Sequence, residues 1–166
     1  MDSRSGTYAI IFRCSGDETI VVGRLGTRKF RSGYYIYVGS ALGPGGVRAR
    51  VLRHHRGETV QHWHIDYLKD RMSFIEAWYS HDCKRREHLW ASVMSGLNFS
   101  QPWKGFGSSD CGCFSHLFYA TARPRLSAFR RAVTREAPGH EAIAASSPIA
   151  LLRSTPVSCP CWSGSN

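Results

Sequence analysis

The chain has 166 residues, 42% of them apolar and 12% aromatic, which supports one domain with a real core and hardly two. No apolar run approaches the roughly 20 residues that span a bilayer, and the polar start MDSRSG lacks the apolar stretch of a signal peptide, so a cytoplasmic protein is expected. The formal net charge of +10 concentrates polyanions and speeds their encounter without reading sequence. A solvated basic surface, membrane-surface binding and ribosomal binding would give a similar charge; among these, nucleic acid, DNA first, is the expected partner and a membrane is not.

Residues 7–14, TYAIIFRC, predict a buried strand ended by the turn Ser15-Gly16-Asp17. Thr19–Leu25 predicts a second strand across that short turn, giving a hairpin. Gly33 opens a third, YYIYV over 34–38, whose period of two puts Tyr35 and Tyr37 on one face and Tyr34, Ile36 and Val38 on the other. GSALGPGG (39–46) is a glycine-rich loop, and VRARVLRHHR (47–56) has helical propensity. A short helix is expected around His64–Asp70, a strand over 72–80, and a helix from about Cys83 to Met94 with Asp82 as its cap. The loop GFGSSDCGC (105–113) precedes a last strand over 115–121, and helix returns over Arg123–Glu136. From Ala137 onward Ala, Ser and Pro dominate without periodicity, which predicts a domain over 1–136 and a disordered tail over 137–166. That tail holds one base and one acid, so the domain keeps 21 bases against 11 acids. The fold class expected is α/β (α+β), a small mixed or antiparallel sheet flanked by helices.

Five polar residues sit where phosphodiester chemistry needs them. Tyr8 lies in the first strand, and Tyr37 ends the third just before the glycine loop. Arg50 and His54, four apart, share one helical face beside Val47 and Val51. Glu87 falls at the edge of the apolar stripe Leu89, Trp90, Val93, Met94 and Leu97. Each helix thus offers catalytic-type groups at a boundary between core and solvent. Taken singly, the tyrosines are ordinary sheet aromatics, Arg50 and His54 belong to a solvated basic face with Arg48, Arg53 and Arg56, and Glu87 is a surface helix residue.

Together and in order, these residues resemble a known family. Gly6-Thr7-Tyr8 and Tyr37-Val38-Gly39 look like the two halves of the GIY-YIG nuclease signature, followed by Ser40-Ala41 and then Arg50-x-x-x-His54. The blocks GYYIYVGSALGPGG (33–46), WHIDYL (63–68) and GFGSSDCGCFSHLFY (105–119) are similar to the Uri-type endonuclease branch, long catalogued as a domain of unknown function. The first triplet is GTY rather than GIY, and Tyr8 and Tyr37 are further apart than in a tight hairpin, which implies an extra strand between them. The resemblance implies a metal-dependent endonuclease of DNA or structured nucleic acid, with DNA repair as a setting. It implies that Glu87 is the single protein ligand of a hydrated Mg²⁺ (or Mn²⁺), that Arg50 holds the scissile phosphate, and that Tyr8, hydrogen-bonded to Tyr37, orients or deprotonates the attacking water. His54, with an ordinary value of about 6.5, is the rival base or a phosphate contact. Arg48, Arg53 and His64 are candidate nucleic-acid contacts, and His62, His64 and Asp66 position a site loop or touch phosphate. GPGG (43–46) lacks the Gly-Lys-Ser/Thr of a P-loop; it offers backbone amides to a phosphate at a helix start, or is a turn.

Six cysteines do not form an obvious disulfide framework, since Cys111-Gly-Cys113 and Cys159-Pro-Cys161 are too close for easy bridging. Cys111, Cys113 and His116, with His88 beside Glu87, could complete a tetrahedral structural zinc site. The alternative is buried thiols and a hydrogen-bonded histidine in a packed loop. Besides a nuclease, the composition admits a catalytically inactive nucleic-acid-binding module and a zinc-stabilised basic interaction domain.

Overall fold

A strand such as GTYAIIFRC, apolar on both sides of its pleat, is stable only where both faces of its sheet are covered. The computed structural model describes residues 1–56, 64–108 and 111–153; His62, Cys159 and Cys161 lie outside the described residues. In chain order the strands are β1 (Gly6–Cys14), β2 (Glu18–Val21), β3 (Thr27–Phe30), β4 (Gly33–Ala41), β5 (Ser73–Ser80), β6 (Gln101–Pro102), β7 (Leu117–Ala120) and β8 (Ala144–Ser146). The helices are α1 (Gly46–Arg56), α2 (Glu87–Ser95), α3 (Leu126–Glu136) and α4 (Pro148–Arg153), and 3-10 turns cover Gly23–Leu25 and His64–Tyr67. No helix among the described residues is long and apolar enough to cross a membrane.

Six strands form one antiparallel sheet in the order β6-β7-β4-β1-β5-β8. The expected α/β fold is thus observed, with the sheet antiparallel throughout. Alternation along β1 sends Tyr8, Ile10 and Phe12 to one core, with Tyr35, Tyr37, Val47, Val51 and Leu68. Ala9 and Ile11 go to the other, with Val38, Trp78, Trp90, Met94 and Phe129. Helix α1 covers the first face; α2 and α3 cover the second. Each fully buried aliphatic or aromatic side chain contributes about 1.5–3 kcal/mol, and β1, at the centre, supplies them to both sides.

Several boundaries differ from expectation for physical reasons. The second strand does not pair with β1, whose two edges are taken by β4 and β5; it pairs with β3 in a separate two-stranded ribbon. That ribbon is the extra insertion between Tyr8 and Tyr37. Helix α2 starts at Glu87, not Cys83, because Asp82 is engaged elsewhere. Its carboxylate accepts from Lys84 N at 2.9 Å, Arg86 Nε at 2.9 Å and Glu141 N at 3.2 Å. Helix α3 begins at Leu126 rather than Arg123, since Pro124 disfavours helix at the residue before it and Arg125 is extended (φ −101°, ψ 116°).

The tail expected to be disordered from Ala137 is structured as far as Arg153. β8 pairs with β5 through Ala77↔Ser146 and Tyr79↔Ala144. Ile143 fills the α2/α3 core, Leu151 fills the α1 core, and Trp90 donates its indole N–H to His140 Nε2 at 2.8 Å. Two well-placed apolar side chains and one sheet edge are enough to dock the segment, and neither creates a periodic pattern. Deleting everything after Glu136 removes both side chains. Burial losses of about 2–5 kcal/mol for each should lower the thermal unfolding midpoint by more than about 8 °C. An unchanged midpoint would make the segment dispensable.

Candidate active site

The pairing of β1 with β4 sets Tyr8 opposite Gly39 and Ile10 opposite Tyr37, so both tyrosines stand on the α1 face one diagonal step apart. Only glycine leaves Tyr8 room: a Cβ on Gly39 would lie 2.6 Å from the Tyr8 hydroxyl oxygen. From α1, buried His54 meets that hydroxyl with Nε2 at 3.0 Å and packs edge-on against the Tyr37 ring at 5.9 Å. Behind His54 the buried Asp66 carboxylate lies 3.9 Å from Nδ1, and Lys69 Nζ is 3.3 Å from the same oxygen, Oδ1. A polar line, Tyr8–His54–Asp66, therefore runs inward from the sheet.

Tyr8, Tyr37, Ser40, Arg50, Arg85 and Glu87 all line one cavity of about 200 Å³. Glu87 is the first residue of α2, whose body packs on the opposite face of the sheet, so the cavity joins the two sides. Its carboxylate lies 3.3 Å from His116 Nδ1 and 3.1 Å from an Arg85 guanidinium nitrogen. Burial alone would raise the Glu87 carboxyl, but hydrogen bonds from His116, Ser40 and Arg85 outweigh it and bring it down to about 2. Burial, then the neighbouring Tyr37, pushes the Tyr8 phenol well above its ordinary range, with Arg50 pulling the other way. Burial brings His54 down to about 3 against the opposing pull of Asp66, and Arg50 adds to the fall. At neutral pH the site holds a neutral phenol, a neutral imidazole, an ionised carboxylate and a guanidinium.

The other sequence candidates divide. Arg53 faces Asp66 at 3.9 Å, as a partner of the inner carboxylate. Arg48, half-exposed, sits in the first turn of α1 and does not line the cavity. His64 accepts the Gly107 N–H at Nδ1 (3.3 Å) and packs on Phe106, so it anchors the loop before β7. That loop in turn reaches the site, since a Cβ on Gly107 (φ +68°) would lie 3.2 Å from both Tyr37 and His116. The glycine loop is a turn and not a phosphate cradle: Val47 N and Arg48 N donate to Arg4 O and Asp2 O, each at 3.0 Å. Arg85 is not singled out by the sequence, being one of three consecutive bases (84–86) with no periodicity to distinguish it. His88, Cys111, Cys113 and His116, expected to gather if they bind metal, do gather.

A family model described as a domain of unknown function, DUF123, matches residues 7–137. The chain belongs to the DUF123 family. No curated protein and no solved structure matches it. The DUF123 match runs from β1 through α3, so it contains the whole cavity and the Cys/His cluster, while β8 and α4 lie beyond it.

The buried imidazole gives this DUF123 chain a specific acid sensitivity. His54 is held below its unfolded value, so the unfolded chain takes up the proton first as pH falls. Its contribution is intact above about 6.5 and is lost progressively toward 3. His64, also lowered by burial, acts with the same sign; Glu87, brought down from 4.5 to about 2, joins only in more acid solution. His116, which burial alone would lower but hydrogen bonds to Glu87 and Cys111 bring up to about 9, acts with the opposite sign. Urea unfolding should therefore show a net loss on the order of 1 kcal/mol between neutrality and about pH 5, a loss that His54→Gln removes. A wild-type stability that stays flat over that interval would contradict the assignment.

Proposed function

We propose that the protein is a metal-dependent endonuclease of the GIY-YIG type, hydrolysing phosphodiester bonds in DNA or structured nucleic acid, with DNA repair a fitting setting. The observation that carries this reading is convergence: Tyr8, Tyr37, Arg50 and Glu87, from four separate elements, line one cavity. Four functionally unrelated residues would not be expected to do so. The excess of bases supports a polyanionic substrate.

Arg50 binds the scissile phosphate and stabilises the charge that builds on it, a task suited to a planar, always-protonated fork. Glu87 is the only acid lining the cavity among the described residues. An ionised carboxylate offers about four lone-pair sites, and three donors (His116, Ser40 and Arg85) leave room for one hydrated Mg²⁺ or Mn²⁺, which needs only one or two carboxylates. Bound by Glu87, that ion supplies positive charge against the phosphorane and the leaving oxygen.

Tyr8 and His54 act as one proton path. As the attacking water gives its proton to the Tyr8 oxygen, the phenol proton passes to His54 Nε2 across the 3.0 Å contact. The phenol is neutral before and after, so its raised pKa imposes no full ionisation step. The cost falls on His54, and two charges reduce it: Asp66 on its far side, and the substrate phosphate, which neutralises the Arg50 charge that depresses His54.

Supercoiled, single-stranded and branched DNA, and RNA, incubated with Mg²⁺, Mn²⁺ or chelator, should be cut only with metal. Glu87→Gln should abolish cleavage while fold and DNA affinity persist; undiminished turnover would remove Glu87 from the metal role. Arg50→Lys should cut about a hundredfold more slowly or worse, because an ammonium cannot replace two preorganised donors; near-normal rates would return Arg50 to a generic basic face.

Tyr8→Phe, which keeps the ring and removes one oxygen, should be inactive at every pH, and His54→Ala should lose most of the activity as well. If His54→Ala retains most of the wild-type rate, Tyr8 works without the imidazole. If Tyr8→Phe retains it while His54→Ala does not, His54 is the base.

A further inference from the structure

We propose that His88, Cys111, Cys113 and His116 bind one structural zinc ion, which pins the loop before β7 to the start of α2 and fixes His116 against Glu87. The zinc site stands on its own geometry; the value of fixing Glu87 rests on the nuclease reading.

One donor atom from each of the four residues lies within 4.8 Å of all the others. Tetrahedral zinc with bonds of about 2.3 Å to sulfur and about 2.0–2.1 Å to nitrogen sets neighbouring donors roughly 3.3–3.8 Å apart. His88 Nδ1 is 3.0 Å from Cys113 Sγ and His116 Nε2 is 3.3 Å from Cys111 Sγ, both close to that spacing, and no pair is wider than 4.8 Å, so rotamer adjustments would seat the ion. Two thiols and two imidazoles form the donor set of a closed structural site, and the two thiols release their protons to solvent on binding.

Such an ion would staple the far end of a long connection. Residues 103–116 join β6 to β7 with neither strand nor helix among the described residues, and connections of that length are uncommon without secondary structure. It contains Gly105, Gly107 and Gly112, and Phe114 is largely exposed, so its apolar anchors are Phe106 and, at its start, Trp103 stacked on Phe30 at 4.4 Å, with little beyond them. No disulfide is formed by Cys111 or Cys113.

The ring of His116 explains the link to the cavity. With Nε2 turned to the cysteines, its other nitrogen, Nδ1, lies 3.2 Å from Val38 O and 3.3 Å from Glu87 Oε1. A ligand bond at Nε2 forces the proton onto Nδ1, where it is donated to that carbonyl and carboxylate. This is how metal-bound histidines are ordinarily oriented by an outer acceptor. Here the same bond orients the acceptor.

The full-length protein, purified and dialysed against metal-free buffer, should carry about one zinc per chain by elemental analysis. Cys111→Ser/Cys113→Ser should carry less than about a tenth of that, while Cys14→Ser and Cys83→Ser remain loaded. Because the double variant could fail to fold, wild-type protein stripped of zinc is also titrated with Co²⁺. Thiolate-to-cobalt charge transfer and tetrahedral visible bands, saturating at one equivalent, are expected. Absence of bound metal and of a cobalt spectrum in folded wild-type protein would overturn the proposal, as would full zinc loading in the double variant. Zinc-loaded protein that cuts no nucleic acid would sink the nuclease reading and leave this site standing; zinc-free protein that cuts would do the reverse.

Discussion

The cross-strand step at Tyr8 and Gly39 governs the rest of the site. A side chain opposite Tyr8 would occupy the space its ring fills, and the hydroxyl would lose His54. Because the position is glycine, the phenol crosses β4 and its oxygen stands between a buried imidazole and the cavity. The central position of β1 holds this step in register, with β4 on one edge and β5 on the other. A one-residue slip would turn Tyr8 to the opposite face, so the two packed cores that fix the register also fix the chemistry.

The polar groups form two lines that meet at the cavity. One runs from Tyr8 through His54 to Asp66 on the α1 side, where burial keeps phenol and imidazole neutral. The other runs from Glu87 through His116 to the cysteines, where hydrogen bonds keep the carboxylate ionised. Environments that push neighbouring groups to opposite protonation states are a common feature of sites that move protons and bind metal. The same burial makes the fold depend on a neutral His54.

Much of this was legible in the sequence wherever burial imposes a strong pattern. The strands at 7–14, 34–38 and 72–80 and the helix at 47–56 read correctly because both cores demand long apolar or periodic runs there. The Arg50/His54 face followed from helical spacing alone. β3, β6 and β8 have four, two and three residues and so carry no pattern of their own; their partners define them. Asp82 looked like a helix cap because Asp before a helical run usually is one, whereas here Arg86 and the backbone of Glu141 compete for it. The same backbone contact helps hold the segment whose composition suggested disorder. The gathering of His88 with residues 111–116 could be listed from residue types but not located, since it depends on the packing of α2 against the sheet.

The central claim is that this cavity adds water to a phosphodiester, and isotopic labelling tests it at the bond that forms. Supercoiled DNA would be incubated with the full-length protein and Mg²⁺ or Mn²⁺ in isotopically labelled water, and the termini of the cut strands analysed by mass spectrometry. The account predicts one labelled oxygen on the newly formed terminal phosphate of each cut, and none in uncut DNA. DNA that is bound but stays uncut with either metal, or strand breaks whose phosphates carry no label, would contradict it.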